Sequence, residues 1–230
     1  LSNIKFVNIL DLNKNLGSQK AISIGLQYLK KQKDEMIITI LDSDGEDDVS
    51  KIPIMIETAE KNKDKVIVSS RTKRQENIFF KILYFTHKLL TFLFTLNWIS
   101  YGNYSSFHSN QLKKILSNKN SWLAFSACVA NNCDIIKMQA ERKKRLIGVS
   151  KLSFLGLIYH SLRVNSVFIF RGFMLSIFYI CFLLIFLKFG YDFFIYIIIL
   201  IVLYNILLLS TLVLNLQKNF VNFEDFIINK

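Results

Sequence analysis

Residues 193–217 contain no charged side chain, and a run of that length and apolarity leaves few ways to fold. As a helix rising about 1.5 Å per residue it crosses the ~30 Å hydrocarbon core of a bilayer, and a helix satisfies every backbone group internally. Residues 172–187 form a shorter uncharged run, which Lys188 extends by snorkelling towards the headgroups. Gly190, Tyr191 and Asp192 lie between the two, so the pair predicts a helical hairpin. Basic residues are dense before the first run and sparse between the two. The positive-inside bias then places both ends in the cytoplasm, as a multi-pass protein of the cytoplasmic (inner) membrane. Two such spans also admit packing between copies, which leaves a homo-oligomer open.

Composition is read against that hairpin. Hydrophobic residues make up 52% of the chain, too many for an ordinary soluble domain, and the excess is concentrated after about residue 165. The net charge of +12 suits nucleic acid or an anionic lipid surface. The aromatic residues sit in apolar segments and not between basic ones, which sets nucleic acid aside. Cys128, Cys133 and Cys181 form neither a CxxC pair nor an even set, in keeping with a reduced cytosolic setting.

The N-terminal part is organised around Ile37, Ile38, Thr39, Ile40 and Leu41, an apolar, β-branched run that reads as a buried strand. It stops in a cluster of acids, Asp42, Asp44, Glu46, Asp47 and Asp48, with Gly45 permitting a sharp turn. Carboxylates this close repel one another, and a divalent cation is the usual reason to tolerate them. Asp42 and Asp44 fall on one side of an extended strand end, within reach of one ion. An EF-hand loop counted from Asp42 would need Gly and Glu where Asp47 and Pro53 stand, so that reading fails. A solvated acidic turn is the competing structural reading.

In chain order, residues 5–10 read as a strand, and Asn13, Asn15 and Gly17 as a turn into a helix over 18–31 with an apolar stripe. A helix over 49–61 carries Pro53 in its first turn. Residues 66–68 are a further strand, with Arg71 and Arg74 directly after it. Strand alternating with helix predicts a doubly wound α/β domain whose ligands sit at the carboxyl ends of the strands. Both the acid cluster and the arginine pair lie at such ends.

Residues 78–98 are dense in Phe and Leu but interrupted by Lys81, His87 and Lys88, which fits an amphipathic helix lying on a membrane better than a span. His87, His108 and His160 read as packed or interfacial residues. A strand over 102–107, helices over 108–116 and 121–131, and a last strand over 134–139 follow. Arg142, Lys143, Lys144, Arg145, Gly148, Ser150 and Lys151 then form a basic run. It reads both as a positive-inside anchor and as a phosphate-binding loop, and a lipid phosphate at a membrane surface needs both. A helix over 152–163 leads into the hairpin.

Four landmarks, in order and at matching spacing, resemble family 2 glycosyltransferases of the membrane-anchored kind that includes dolichyl-phosphate mannose synthase and the undecaprenyl-phosphate sugar transferases. Asn15-x-Gly17 with Ala21 and Gly25 resembles the family's helix start. Asp42-Ser43-Asp44-Gly45-Glu46-Asp47 resembles its metal motif. Ser70-Arg71-x-x-Arg74 resembles the arginine pair after the next strand. Arg142-x-x-Arg145-x-x-Gly148-x-Ser150-Lys151 resembles the signature ahead of the anchors. The resemblance covers about residues 4–165 and the hairpin.

It implies a GT-A-type α/β catalytic domain over 1–150 that lacks its first nucleotide-binding strands, an N-terminally truncated chain. An interfacial helix over 151–166, spans over 167–189 and 193–217 and a cytoplasmic tail over 218–230, frayed or interfacial, complete the organisation. The implied reaction moves a sugar from a nucleotide-sugar to a polyprenyl phosphate, by a single inverting displacement, for cell-envelope glycan synthesis. Mg²⁺ or Mn²⁺ would be held by Asp42, Asp44 and Glu46, and the nucleotide-sugar by Asn15, Gly17, Asp42 and Asp44. The acceptor phosphate would lie on Arg71, Arg74, Arg142, Arg145, Ser150 and Lys151, with Asp44, Arg71 and Arg142 as the catalytic groups. Glu46 stands where many relatives have Gln. The helix over 121–131 lacks the Glu-Asp pair in which relatives acting on hydroxyl acceptors keep their base, which favours a phosphate acceptor. Two rival readings stand beside this one: transfer to a glycan hydroxyl, and an inactive membrane scaffold without the nucleotide-binding half.

Overall fold

The computed structural model describes residues 5–71, 78–117, 119–141, 154–190, 192–217 and 223–229. β1 (Asp11–Leu12) is followed by α1 (Ser18–Gln32), whose apolar stripe buries Ile24 and Leu26. β2 (Ile37–Ile40) carries the acid cluster at its carboxyl end. A single 3₁₀ turn, Val49–Lys51, leads into α2 (Ile52–Lys61), with Pro53 in the first turn, where it lacks no needed N–H. β3 (Lys65–Arg71), α3 (Ile78–Thr95) and β4 (Tyr101–His108) follow. The short α4 (Leu112–Ile115), α5 (Phe125–Asn132) and β5 (Asp134–Ala140) close the α/β part. The helix expected over 121–131 begins only at Phe125, because Lys119–Trp122 forms a separate 3₁₀ turn.

The sheet runs β2-β4-β3-β5 and is mixed. β3 and β5 pair in parallel, from Lys65 opposite Asp134 to Arg71 opposite Ala140. β4 is antiparallel to both β2 and β3 and lies between them. The reason is visible in β4 itself: Tyr104, Ser105, Ser106 and Phe107 are all buried, so this strand is covered on both faces and belongs in the middle. Its period-2 alternation builds two cores. Phe107 joins Leu26, Ile38, Val66, Val68, Ile115, Phe125 and Val129 on one face. Tyr104 joins Ile67 and, from α2, Met55 and Ala59 on the other.

Residues 5–10 form no strand, against expectation, and 5–9 stay exposed. A strand exists only through a partner's backbone, and among the described residues none runs alongside them. The one pairing in this region is between β1 and β6 (Ile227–Asn229), with Leu12 opposite Ile227. The C-terminal tail, expected to be frayed or interfacial, therefore folds back onto the start of the domain over residues 223–229.

α6 (Phe154–Ser166) carries the chain to α7 (Ile169–Leu187) and α8 (Phe193–Gln217). Both α7 and α8 are long and apolar enough to cross a membrane. Only 11% and 17% of their most apolar windows are buried, so neither is the core helix of a soluble domain. Polar side chains pin the assembly of these helices. Asn205 Nδ2 donates to Ser176 Oγ (2.8 Å) between the spans, and Asn215 Nδ2 to Tyr159 Oη of α6 (2.8 Å). Val164, Val167 and Phe168 pack on Leu123, Ala124, Ala127 and Cys128, and Arg163 Nη2 donates to the Trp122 carbonyl (3.2 Å). The hairpin is thereby built onto the α/β domain.

α3 has the expected amphipathic character, with its apolar side outward. Ile78, Ile82, Phe85, Leu89 and Phe92 recur at helical spacing and are exposed, whereas Thr91, Phe94 and Thr95 are buried. His87 Nδ1 and Ser161 Oγ lie 2.6 Å apart, joining α3 to α6, which makes His87 a packed residue as read from the sequence. The far end of α3 docks on α7: Arg171 Nη1 donates to the Thr95 carbonyl (3.0 Å) and Tyr179 Oη to the Leu93 carbonyl (2.7 Å).

Candidate active site

One edge of the sheet brings together the acid turn with Asp42, Asp44 and Glu46 and the backbone of Arg71. The acid turn follows β2, Arg71 is the last residue of β3, β4 starts there with Tyr101, and β5 ends there at Ala140. The side chain of Arg71 is outside what the structure describes, as are Arg74, Arg142, Arg145, Ser150 and Lys151 altogether.

The acid turn is tied by its own carboxylates. Asp47 Oδ2 accepts the Asp42 N–H (3.0 Å), and Asp44 Oδ1 accepts the Glu46 N–H (3.0 Å). Asp48 Oδ1 accepts from both the N–H (3.3 Å) and the hydroxyl (2.9 Å) of Ser50, capping the 3₁₀ turn before α2. Gly45 has φ +77°, a left-handed conformation that lets the chain reverse between Asp44 and Glu46. From β4, Tyr104 Oη donates to the Asp48 carbonyl (2.9 Å). Burial, reinforced by Asp47 and Asp48, pushes the Tyr104 hydroxyl up to about 12, so it remains a donor across the physiological range.

Asp42 is reached from α1 by a relay that sequence reasoning missed. Gln19 Oε1 accepts the Phe125 N–H (2.7 Å), and Gln19 Nε2 donates to Asn103 Oδ1 (3.1 Å). Asn103 Nδ2 then donates to Asp42 Oδ1 (3.3 Å). The direction of every bond is set by the first, because a peptide N–H can only donate. Gln19 sits two residues past Gly17, so the turn that opens α1 and the acid turn share one polar network. A signal was present: Gln19, Ser23 and Leu26 lie on one buried stripe of α1, and a glutamine there needs a partner.

Asn15 and Gly17 occupy the turn before α1. Asn15 Oδ1 accepts the Gly17 N–H (3.0 Å), and Gly17 has φ +78°. A Cβ at Gly17 meets nothing within 4 Å, so only the backbone conformation is at stake. With ψ at 161° Gly17 lies in a region essentially confined to glycine, so Gly17→Ala is expected to cost about 1–3 kcal/mol, read as a fall in the thermal midpoint; an unchanged midpoint would show that the turn relaxes freely.

Asp42, Asp44 and Glu46 do not converge as a three-ligand set: among the described residues no three acidic, His or Cys side chains are placed to hold a metal ion. Asp42 and Asp44 offer hard carboxylate oxygens at a strand end, the donor type that suits Mg²⁺ or Mn²⁺. The thiols of α5 and its end lie away from the acid turn. Burial pushes Cys128 up to about 12 and Cys133 to about 11, and both stay protonated and inert at neutral pH.

Residues 2–135 match the family model described as glycosyl transferase family 2, and the chain belongs to that family. No curated protein and no solved structure matches it. Membership makes the α/β part a GT-A-like domain and the protein a glycosyltransferase, which takes its sugar from a nucleotide-sugar donor and hands it to an acceptor. The match ends within β5, before the basic run and the hairpin.

Proposed function

We propose that this glycosyltransferase moves a sugar from a nucleotide-sugar to a polyprenyl phosphate at the cytoplasmic face of the membrane. The observation that carries the reading is the docking of α3 on the hairpin. Its apolar stripe faces outward, its end is hydrogen-bonded to α7, and it starts seven residues after the sheet edge that bears the acid turn. An acceptor with an apolar tail and a reactive phosphate needs those two surfaces side by side.

Asp42 and Asp44 are the residues that would hold Mg²⁺ or Mn²⁺, which when bound neutralises the diphosphate leaving group. Asn103 holds one oxygen of Asp42 and so fixes the carboxylate's orientation. Asn15 and Gly17 line the donor side at the start of α1. Arg71, Arg74, Arg142, Arg145, Ser150 and Lys151 receive the acceptor phosphate, the arginines by their planar forks. A phosphate oxygen attacks the anomeric carbon, the bond from that carbon to the diphosphate breaks, and the negative charge passes to the departing nucleotide with inversion at carbon. The attacking group is already an anion, so no general base is required, in keeping with the absence of any acid from α5.

Membranes bearing the protein, supplied with radiolabelled nucleotide-sugars and a polyprenyl phosphate, should place label in the organic extract in proportion to added lipid. Label found only in polymeric glycan would overturn the lipid-phosphate reading in favour of a hydroxyl acceptor.

A further inference from the structure

The segment after α8 packs back onto α1. Phe226 is only 6% exposed and packs with Ile24 of α1 and with Trp122, whose ring centroid lies 5.7 Å away. Leu12 and Leu16, which bracket Asn13 and Asn15, pack against this same cluster. The backbone is engaged too. Asn13 N–H donates to the Phe226 carbonyl (3.0 Å), Asn13 Nδ2 to the Asp225 carbonyl (2.8 Å), and β6 pairs with β1. Lys14 Nζ stands 5.5 Å from the Phe226 ring centre, and Lys31 Nζ pairs with Glu224 Oε1 at 2.9 Å. A ribbon of two short strands is marginal alone, and an exposed ion pair adds little. The buried ring is therefore the anchor.

We infer that residues 223–229 form a positioning strap, with Phe226 as its anchor, that holds the turn before α1 in its donor-binding shape and couples it to the membrane hairpin. The inference rests on the reading that Asn15 and Gly17 belong to the nucleotide-sugar site. Only six peptide steps separate Gln217, where α8 ends, from Phe223. Even fully extended they reach about 20 Å, so the end of the second span is leashed to within that distance of Phe223, the first residue of the strap. Phe226 touches neither substrate nor reacting atoms in this scheme. It is a positioning residue, and its loss acts on donor affinity before it acts on the chemical step.

The test uses the full chain in lipid nanodiscs, with Phe226→Ala and the bulk-preserving Phe226→Leu. Amide hydrogen exchange is read first, because it does not depend on any ligand. Phe226→Ala should speed exchange over residues 11–17 and the first turn of α1 by about tenfold or more, leave β3 and β4 unchanged, and be largely reversed in Phe226→Leu. Unchanged exchange over 11–17 overturns the strap, and so does a loss of protection spread over the whole domain. Binding of UDP and of GDP, each with Mn²⁺, is read second. Whichever nucleotide the parent chain binds should bind Phe226→Ala about tenfold more weakly, with kcat for transfer from its sugar within about twofold of the parent. Local loosening with unchanged nucleotide affinity would leave a mere tether and overturn the positioning role. Should the parent bind neither nucleotide, the assignment of Asn15 and Gly17 to the donor fails, while the exchange result still judges the strap.

Discussion

Replacing Asp44 by alanine is expected to lower kcat/KM for sugar transfer by about a thousandfold, the scale of losing a principal charge-stabilising group. The protein should still fold and insert. In the turn Asp44 Oδ1 accepts the Glu46 N–H, and such a bond is worth about 1 kcal/mol net. That is small against the stability of a domain built around Phe107 and its partners. Asp44→Asn separates charge from turn geometry, because the amide oxygen can still accept the Glu46 N–H while the negative charge is gone. Both variants should therefore lose transfer, and Asp44→Asn should keep the parent's thermal midpoint. Transfer that survives in Asp44→Asn and still responds to Mg²⁺ or Mn²⁺ would remove Asp44 from the metal site.

What the sequence disclosed and what it hid divide along a physical line. Patterns set by near neighbours were legible. The β-branched run of β2, the helical stripe of α1, the proline at the start of α2 and the two uncharged runs each depend on residues a few positions apart. Strand order was not legible. Nothing in the local pattern of residues 101–108 says that β4 enters between β2 and β3; the clue is burial on both faces, and burial is a property of the assembled sheet. The return of the tail was hidden for a related reason. Residues 223–229 comprise one 3₁₀ turn and three residues of strand, with Glu224 and Asp225 among them. Such a piece has no preference of its own and takes its structure from β1 and from packing against Ile24 and Trp122. At the site, the carboxylates announced themselves by crowding, whereas Gln19 and Asn103 look like ordinary polar residues until the helix and strand that carry them are packed.

That hidden pair gives the second large expected effect, because Gln19 serves two masters whose loss can be told apart. α5 starts from Ala124, which has no capping side chain. Gln19 Oε1 supplies the missing acceptor from α1 by taking the buried Phe125 N–H at 2.7 Å. Gln19→Leu would strand that donor in the interior, at a cost of about 2–3 kcal/mol, and thermal unfolding should register it. The same change removes the donor to Asn103, so Asn103 is free to turn and Asp42 loses its fixed orientation. Positions that orient a ligand's carboxylate typically matter at about the 10–100-fold level, and transfer per folded molecule should fall accordingly. Gln19→Glu distinguishes the two roles. Its carboxylate still accepts from Phe125, and a negative charge at the start of α5 is favourable. It cannot, when ionised, donate to Asn103. Stability should therefore return nearly to that of the parent while transfer stays depressed and its Mn²⁺ requirement moves to higher concentration. Recovery of both together would mean that the relay caps α5 and does nothing for Asp42. Recovery of stability alone would place Gln19, in the first turn of α1, in control of the Asp42 carboxylate at the end of β2.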